Sequence, residues 1–214
     1  MNKQIMKKES PIQILVADDH YIVRMGLIAL VNTEPDMEVI AEAADGAQAI
    51  DMFAKCNPDV ALMDSRMPVK NGIEATIEIH KRCETARILM LTAFDGDEDI
   101  YKAMEAGVSG YVLKNSTEEK LIPAIRAVAA GQRWIPKEVA RRLASRRLFE
   151  ELPPRELEVL NELVKGLANK QIADVLNITE HTTKGYLKNI LAKLHVSDRT
   201  EAVSVAIKRG IIHF

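Results

Sequence analysis

The stretch Ala61-Leu62-Met63-Asp64-Ser65-Arg66-Met67-Pro68-Val69-Lys70-Asn71-Gly72 decides how this chain is read. A short apolar run, residues 60–63, ends abruptly in a carboxylate, and a polar turn then closes on Gly72. Every position of that run is apolar. It therefore predicts a strand buried on both faces, as in a parallel sheet covered by helices. Ligands of open α/β sheets bind just beyond the carboxyl ends of the strands, which is where Asp64 falls. The same aspartate would equally suit a loop residue capping the next helix. The rest of the chain decides between the two.

Working outward, residues 12–17 predict a strand with Asp18-Asp19-His20 at its end. Residues 21–31 have helical spacing, 37–41 predict a second strand, and Asp45-Gly46 opens a helix through Phe53. Residues 59–63 are the third strand, 73–82 a helix, 87–92 a fourth strand and 97–106 a helix. A fifth strand over 110–113 precedes a helix over 117–130, with Leu121, Ile125 and Val128 on one stripe. Five strand–helix alternations predict one parallel sheet wound on both faces, an α/β, flavodoxin-like domain over residues 12–131. Residues 1–11 read as an N-terminal tail. Residues 132–151 are basic and read as a linker, helical over part of 139–148. Residues 152–214 are helical in pattern throughout, an all-α second domain.

The totals bound the class. With 214 residues, 47% hydrophobic and 28% charged, the chain has material for two small soluble domains. Its formal net charge of −2 implies no partner by itself. Cys56 and Cys83 lack metal-ligand spacing and fit a reducing compartment. The apolar run over 12–17 is cut off by Asp18-Asp19 and is too short for a signal peptide or a membrane span, so the expectation is a cytoplasmic protein with no membrane partner.

Four strand ends carry polar groups: Asp18-Asp19, Asp64, Thr92 and Lys114. In a parallel sheet these ends share one edge and converge. Clustered carboxylates repel one another and need a cation, and oxygen ligands with free water sites suit Mg2+. Asp64 could then attack phosphorus, with an ammonium and a hydroxyl to receive the phosphoryl oxygens. Other chemistries fit less well. A flavodoxin-like cofactor site wants a Ser/Thr/Gly-rich loop where Asp-Asp-His stands. An aspartyl-nucleophile phosphatase usually has a second acid two residues past the nucleophile, where this chain has Arg66.

Asp18-Asp19-His20, Arg24-Met25-Gly26-Leu27, Met63-Asp64 through Met67-Pro68, Asn71-Gly72, Thr92-Ala93 and Tyr111-Val112-Leu113-Lys114 together resemble a response-regulator receiver domain. The resemblance implies that Asp64 is the phosphoacceptor. Asp18, Asp19, Asp64 and the Arg66 backbone carbonyl would hold Mg2+, Thr92 and Lys114 would bind the phosphoryl oxygens, and Tyr111 would be the aromatic switch residue. It also implies a histidine kinase as phosphodonor. The protein would be no enzyme beyond slow self-dephosphorylation, tuned by Arg66 and Phe94. Asn115 departs from the family pattern without a consequence in view.

In the second domain, residues 155–166 carry an apolar stripe of Leu157, Leu160, Leu163, Val164 and Leu167. Asn169 suits the N-cap of a helix over 170–176, and Thr179 that of a helix to about Leu194. The inner face of that last helix is Thr183, Leu187, Ile190, Leu191 and Leu194. Its outer face is His181, Lys184, Gly185, Lys188 and Ala192. Helix, tight turn, helix with a basic outer face is a helix-turn-helix pattern. Asp198 with Glu201 predicts a capping box for a final helix through Lys208. With Gly166-Leu167-Ala168-Asn169-Lys170, Ile178-Thr179-Glu180 and Arg199-Thr200-Glu201-Ala202, the domain resembles the LuxR-type DNA-binding domains, and the whole chain the NarL/FixJ response regulators. That implies a two-component transcriptional regulator with His181, Thr182, Lys184 and Lys188 on double-stranded DNA. It also implies a homodimer on paired half-sites once phosphorylation biases how the two domains contact each other. Thr183 stands where a β-branched apolar residue is usual, which predicts a looser seat for the helix. Gly185 costs roughly 1 kcal/mol against Ala in a helix interior. Two other readings stay open: constitutive DNA binding with the receiver as an interaction module, and an Mg2+-dependent hydrolase.

Overall fold

The computed structural model describes residues 10–92, 96–114, 116–146 and 150–212. Residues 1–9 of the expected tail over 1–11, together with Ala93, Phe94, Asn115 and residues 147–149, lie outside the described residues. The chain divides into two compact units, one holding the sheet within residues 1–94 and 102–137, the other holding the C-terminal helices together with residues 96–101.

In the first unit, β1 (Ile12–Ala17), β2 (Met37–Ala43), β3 (Val60–Asp64), β4 (Ile88–Thr92) and β5 (Gly110–Leu113) form one sheet in the order β2-β1-β3-β4-β5. The pairings between these strands are parallel. The connections carry α1 (Tyr21–Val31), α2 (Gly46–Cys56), α3 (Gly72–Arg82) and α4 (Asp97–Glu105), and α5 (Glu118–Ala129) follows β5. Parallel neighbours need a crossover, and a helix supplies it. Ile14, Val16, Val60, Leu62, Leu89, Leu91 and Val112 pack with Leu27 and Leu30 of α1 and with Leu121, Ile125 and Val128 of α5. Side chains alternate along a strand. Leu15, Ala61, Met63, Ile88 and Met90 therefore point the other way, and they too are fully buried. The sheet is covered on both faces, which is why its strands are continuously apolar.

Two ends were shifted by tertiary pairing. β2 runs two residues past the expected Ala41 because Ala43 still pairs with Ala17. Trp134, within the stretch read as linker, is fastened to the sheet: it accepts from the Tyr111 N–H (2.8 Å) and donates to the Ser109 carbonyl (3.1 Å). Beyond it α6 spans Lys137–Arg146.

The second unit holds α7 (Pro154–Val164), α8 (Asn169–Leu176), α9 (Glu180–Leu194) and α10 (Arg199–Lys208). Val159, Leu160, Leu163, Ile172, Ile190, Leu194, Ala202 and Ala206 form its core. Three expectations need correction. Asn169 is the first helical residue of α8, not its cap; Ala168 takes the cap, and the Gln171 side chain accepts from its N–H at 2.8 Å. Glu201 reaches past Asp198 to the Ser197 N–H (2.8 Å), while Asp198 itself accepts from Thr200 and Glu201. Thr183 is not loosely seated: it is fully buried, and its hydroxyl donates to the Thr179 carbonyl at 3.2 Å, so burial leaves no donor orphaned. Among the described residues no helix is long and apolar enough to cross a membrane.

Candidate functional site

β1 and β3 are neighbours, so the residues after Ala17 and Met63 arrive side by side at one edge. Asp18 is fully buried and Asp64 nearly so. Lys114, just past β5, lies between them, its Nζ 2.6 Å from Asp18 Oδ2 and 2.9 Å from Asp64 Oδ2. Burial pushes the Asp64 carboxyl up to about 6, against the opposing pull of Lys114. Burial also works against the Lys114 charge, but the bonds to Asp18 and Asp64 outweigh it and hold the ammonium above its ordinary range. Thr92 ends β4 fully buried, and its carbonyl accepts the Lys114 N–H at 2.6 Å. Tyr111, two residues inside β5, is buried beside Met90.

Asp18, Asp19, His20 and Asp64 bring one potential ligand atom each within 4.8 Å of one another. No role for His20 follows from the sequence alone. Its Nδ1 lies 2.8 Å from Asp19 Oδ1, and its backbone N–H donates to Asp18 Oδ1 at 2.9 Å. The contiguous Asp-Asp-His was the available signal. Arg24 was also given no role of its own. Its guanidinium donates to the Asp18 carbonyl (2.7 Å) and to Glu42 (2.9 Å), fixing the acidic turn from one helical turn away.

The loop after Asp64 is held tightly. The Ser65 N–H donates to the Leu91 carbonyl and the Gly72 N–H to the Ser65 carbonyl. A Cβ on Gly72 would lie 2.0 Å from the Asp64 carbonyl oxygen, so only glycine lets α3 start this close to the site. Asn71 and Glu74 close a reciprocal capping box there. Arg66 is exposed at the pocket margin, and its backbone N–H bonds to the Asp64 carboxylate. Chemically the pocket is a buried carboxylate beside an internal cation, flanked by hard oxygen donors. Such a donor set suits a small divalent cation and an incoming phosphoryl group.

On α9, His181, Lys184, Gly185 and Lys188 are exposed together, and Thr182 is half-buried at the first turn. Thr179 caps the helix, accepting from the Thr182 N–H at 3.1 Å. Lys184 pairs with Glu180 at 2.8 Å, a solvent-exposed i,i+4 contact that a phosphate could displace at little cost. Glu156, buried on α7, reaches Lys193 of α9 at 2.9 Å and ties the two helices together.

Two family models match: the response-regulator receiver domain over residues 14–126, and the luxR family of bacterial regulatory proteins over 150–206. The nitrate/nitrite response regulator NarP of Escherichia coli K12 is 40% identical over 211 residues, covering 95% of this chain and 98% of its own. The crystal structure of the response regulator ChrA of a heme-sensing two-component system is 36% identical with a TM-score of 0.59, over 95% of this chain and 100% of that one. RcsB from Salmonella enterica serovar Typhimurium, solved bound to a promoter in the presence of the phosphomimetic BeF3−, is 25% identical with a TM-score of 0.71, over 92% and 98%.

Proposed function

We propose how the chain works from the family it belongs to: it is a NarL/FixJ-type response regulator, a receiver domain joined to a LuxR-type helix-turn-helix, and a DNA-binding transcriptional regulator of a two-component system. In this reading Asp64 is the phosphoacceptor and a histidine kinase is the phosphodonor. The observation that carries it is Asp64 itself, buried at the carboxyl end of β3, 2.9 Å from Lys114 and gathered with Asp18 and Asp19.

Asp18, Asp19 and Asp64, with the Arg66 backbone carbonyl, are the groups that would hold Mg2+, and their carboxylate oxygens fit that hard cation. When bound, the ion offsets the charge of the carboxylates and of the phosphoryl oxygens. An Asp64 oxygen attacks phosphorus on the kinase phosphohistidine. The new P–O bond forms as the P–N bond breaks, and the imidazole leaves with the electron pair. Lys114 then exchanges its carboxylate contacts for a phosphoryl oxygen, and the Thr92 hydroxyl takes another. Tyr111 repacks as Thr92 moves. The aspartyl phosphate carries about −1.5 to −2 charges near neutral pH, against the single charge of the carboxylate it replaces. Self-dephosphorylation is slow, with no turnover of other substrates. The phosphorylated protein binds paired half-sites as a homodimer in the cytoplasm, with His181, Thr182, Lys184 and Lys188 on phosphates or base edges.

A footprint on genomic DNA with and without a small-molecule phosphodonor tests this. Wild type should protect paired sites only with the donor, and Asp64→Asn should show no donor response. Equal protection by wild type in both conditions would leave the receiver as an interaction module.

A further inference from the structure

His80 stands in the last turn of α3, half-buried. Its Nδ1 lies 2.9 Å from the carbonyl oxygen of Ala106 and its Nε2 3.0 Å from that of Ala86. Ala106 directly follows α4, and Ala86 precedes β4 by one intervening residue. A carbonyl oxygen only accepts, so each ring nitrogen must donate. A neutral imidazole carries one N–H and satisfies one of the two. Only the imidazolium completes the arrangement; in a neutral ring one nitrogen lone pair faces a carbonyl lone pair.

The surroundings are built for the ring. Gly107 takes φ +90°, the left-handed turn that ends α4, and a Cβ there would crowd the ring, 3.2 Å from His80 Cε1 and 3.3 Å from Nδ1. The Ala106 carbonyl belongs to the negative end of the α4 dipole, where a cation is favoured. The charged groups around the ring are mixed, with cations in excess. Lys81 and Arg82 of α3, Glu84 of the following turn and Glu105 of α4 line the same depression. Arg87 follows Ala86, and Lys102 stands one turn back along α4. Four cations against two carboxylates work against a further positive charge, so the two facing carbonyls are what favour the imidazolium.

We propose that His80 is a proton-dependent strut. Its imidazolium ties the carboxyl-terminal end of α4 and the entry of β4 to α3, and loss of one ring proton releases one of the two. Histidine is the side chain that changes charge near neutral pH. The strut thus makes the hold on α4, the helix that follows the Thr92 strand, depend on acidity. This goes beyond the phosphorylation reading and does not need it.

The test is ring-nitrogen NMR of His80 in the full-length protein, with amide exchange over residues 102–107, from about pH 5.5 to about pH 8.5, the span over which histidines titrate. At the acid end both ring nitrogens should carry protons. As the pH rises one proton should leave, and exchange at these amides, corrected for its intrinsic pH dependence, should speed up about tenfold, the worth of one charge-assisted hydrogen bond. His80→Arg keeps the charge and the donors and should hold exchange flat with pH; His80→Leu should exchange fast at every pH. A ring that stays neutral throughout, or wild-type exchange that ignores pH, overturns the strut. Should His80→Leu fail to fold, the ring spectrum and His80→Arg decide alone.

Discussion

Asp64 keeps its proton to a higher pH in the folded chain than in the unfolded one, because burial pushes its carboxyl up to about 6 from an ordinary 3.8. Over that interval the unfolded chain has lost a proton that the folded chain retains, so raising the pH through it costs stability. Asp64→Asn removes the ionisation. It should be more stable than wild type above about pH 6 by about 1 kcal/mol, after allowing for the partner that Lys114 loses, with the gain vanishing below about pH 4. Denaturant melts across that range measure it. Val69 offers a second case. It is 80% exposed at φ +66°, a left-handed conformation that costs a β-branched residue about 1–2 kcal/mol and gains no burial in return. Val69→Gly should raise stability by about 1 kcal/mol in the same melts. Gly72→Ala should do the reverse, losing about 2–3 kcal/mol and phosphodonor response together, because its Cβ collides with the Asp64 backbone. The acids were legible in the sequence because charge at the end of an apolar strand is conspicuous. Arg24 was not, because its reach back to the Asp18 carbonyl depends on how α1 lies, which no spacing encodes.

At the scale of the element, α9 shows how a departure from pattern is absorbed. Thr183 fills an apolar position by returning its hydroxyl to Thr179 within the same helix. Thr183→Val should therefore change stability by less than about 1 kcal/mol in thermal melts, since donor and acceptor gain and loss nearly cancel. Gly185 is different: a Cβ there meets nothing within 4 Å. Gly185→Ala should stabilise the domain by about 1 kcal/mol through helix propensity alone. The inner and outer faces of α9 were readable because burial follows the helical period. The cap of α8 lies one residue before the expected Asn169, and in α10 Asp198 caps as expected while Glu201 reaches Ser197 instead, because several polar side chains compete for the same orphan N–H groups and the chain entering each helix selects among them. The burial of Glu156 was not readable for another reason: a carboxylate is a surface residue by default until a partner such as Lys193 makes its burial tolerable.

For the whole molecule, strand–helix alternation was enough to foresee a parallel sheet, since each crossover must carry a helix between neighbours. It could not foresee Trp134. Attachment to the edge of β5 is a long-range pairing, and a basic, Pro-flanked stretch gives no local sign of it. That attachment has a practical consequence. Trp134 is the chain's single tryptophan, its indole packs against the core beneath the sheet, and its backbone is bonded to Tyr111 and Ser109. The protein thus carries a built-in fluorophore bonded to the strand that holds Tyr111. Emission excited selectively at the indole should shift when beryllofluoride and magnesium are added, and should stay still in Asp64→Asn, giving a label-free optical clock for the switching event.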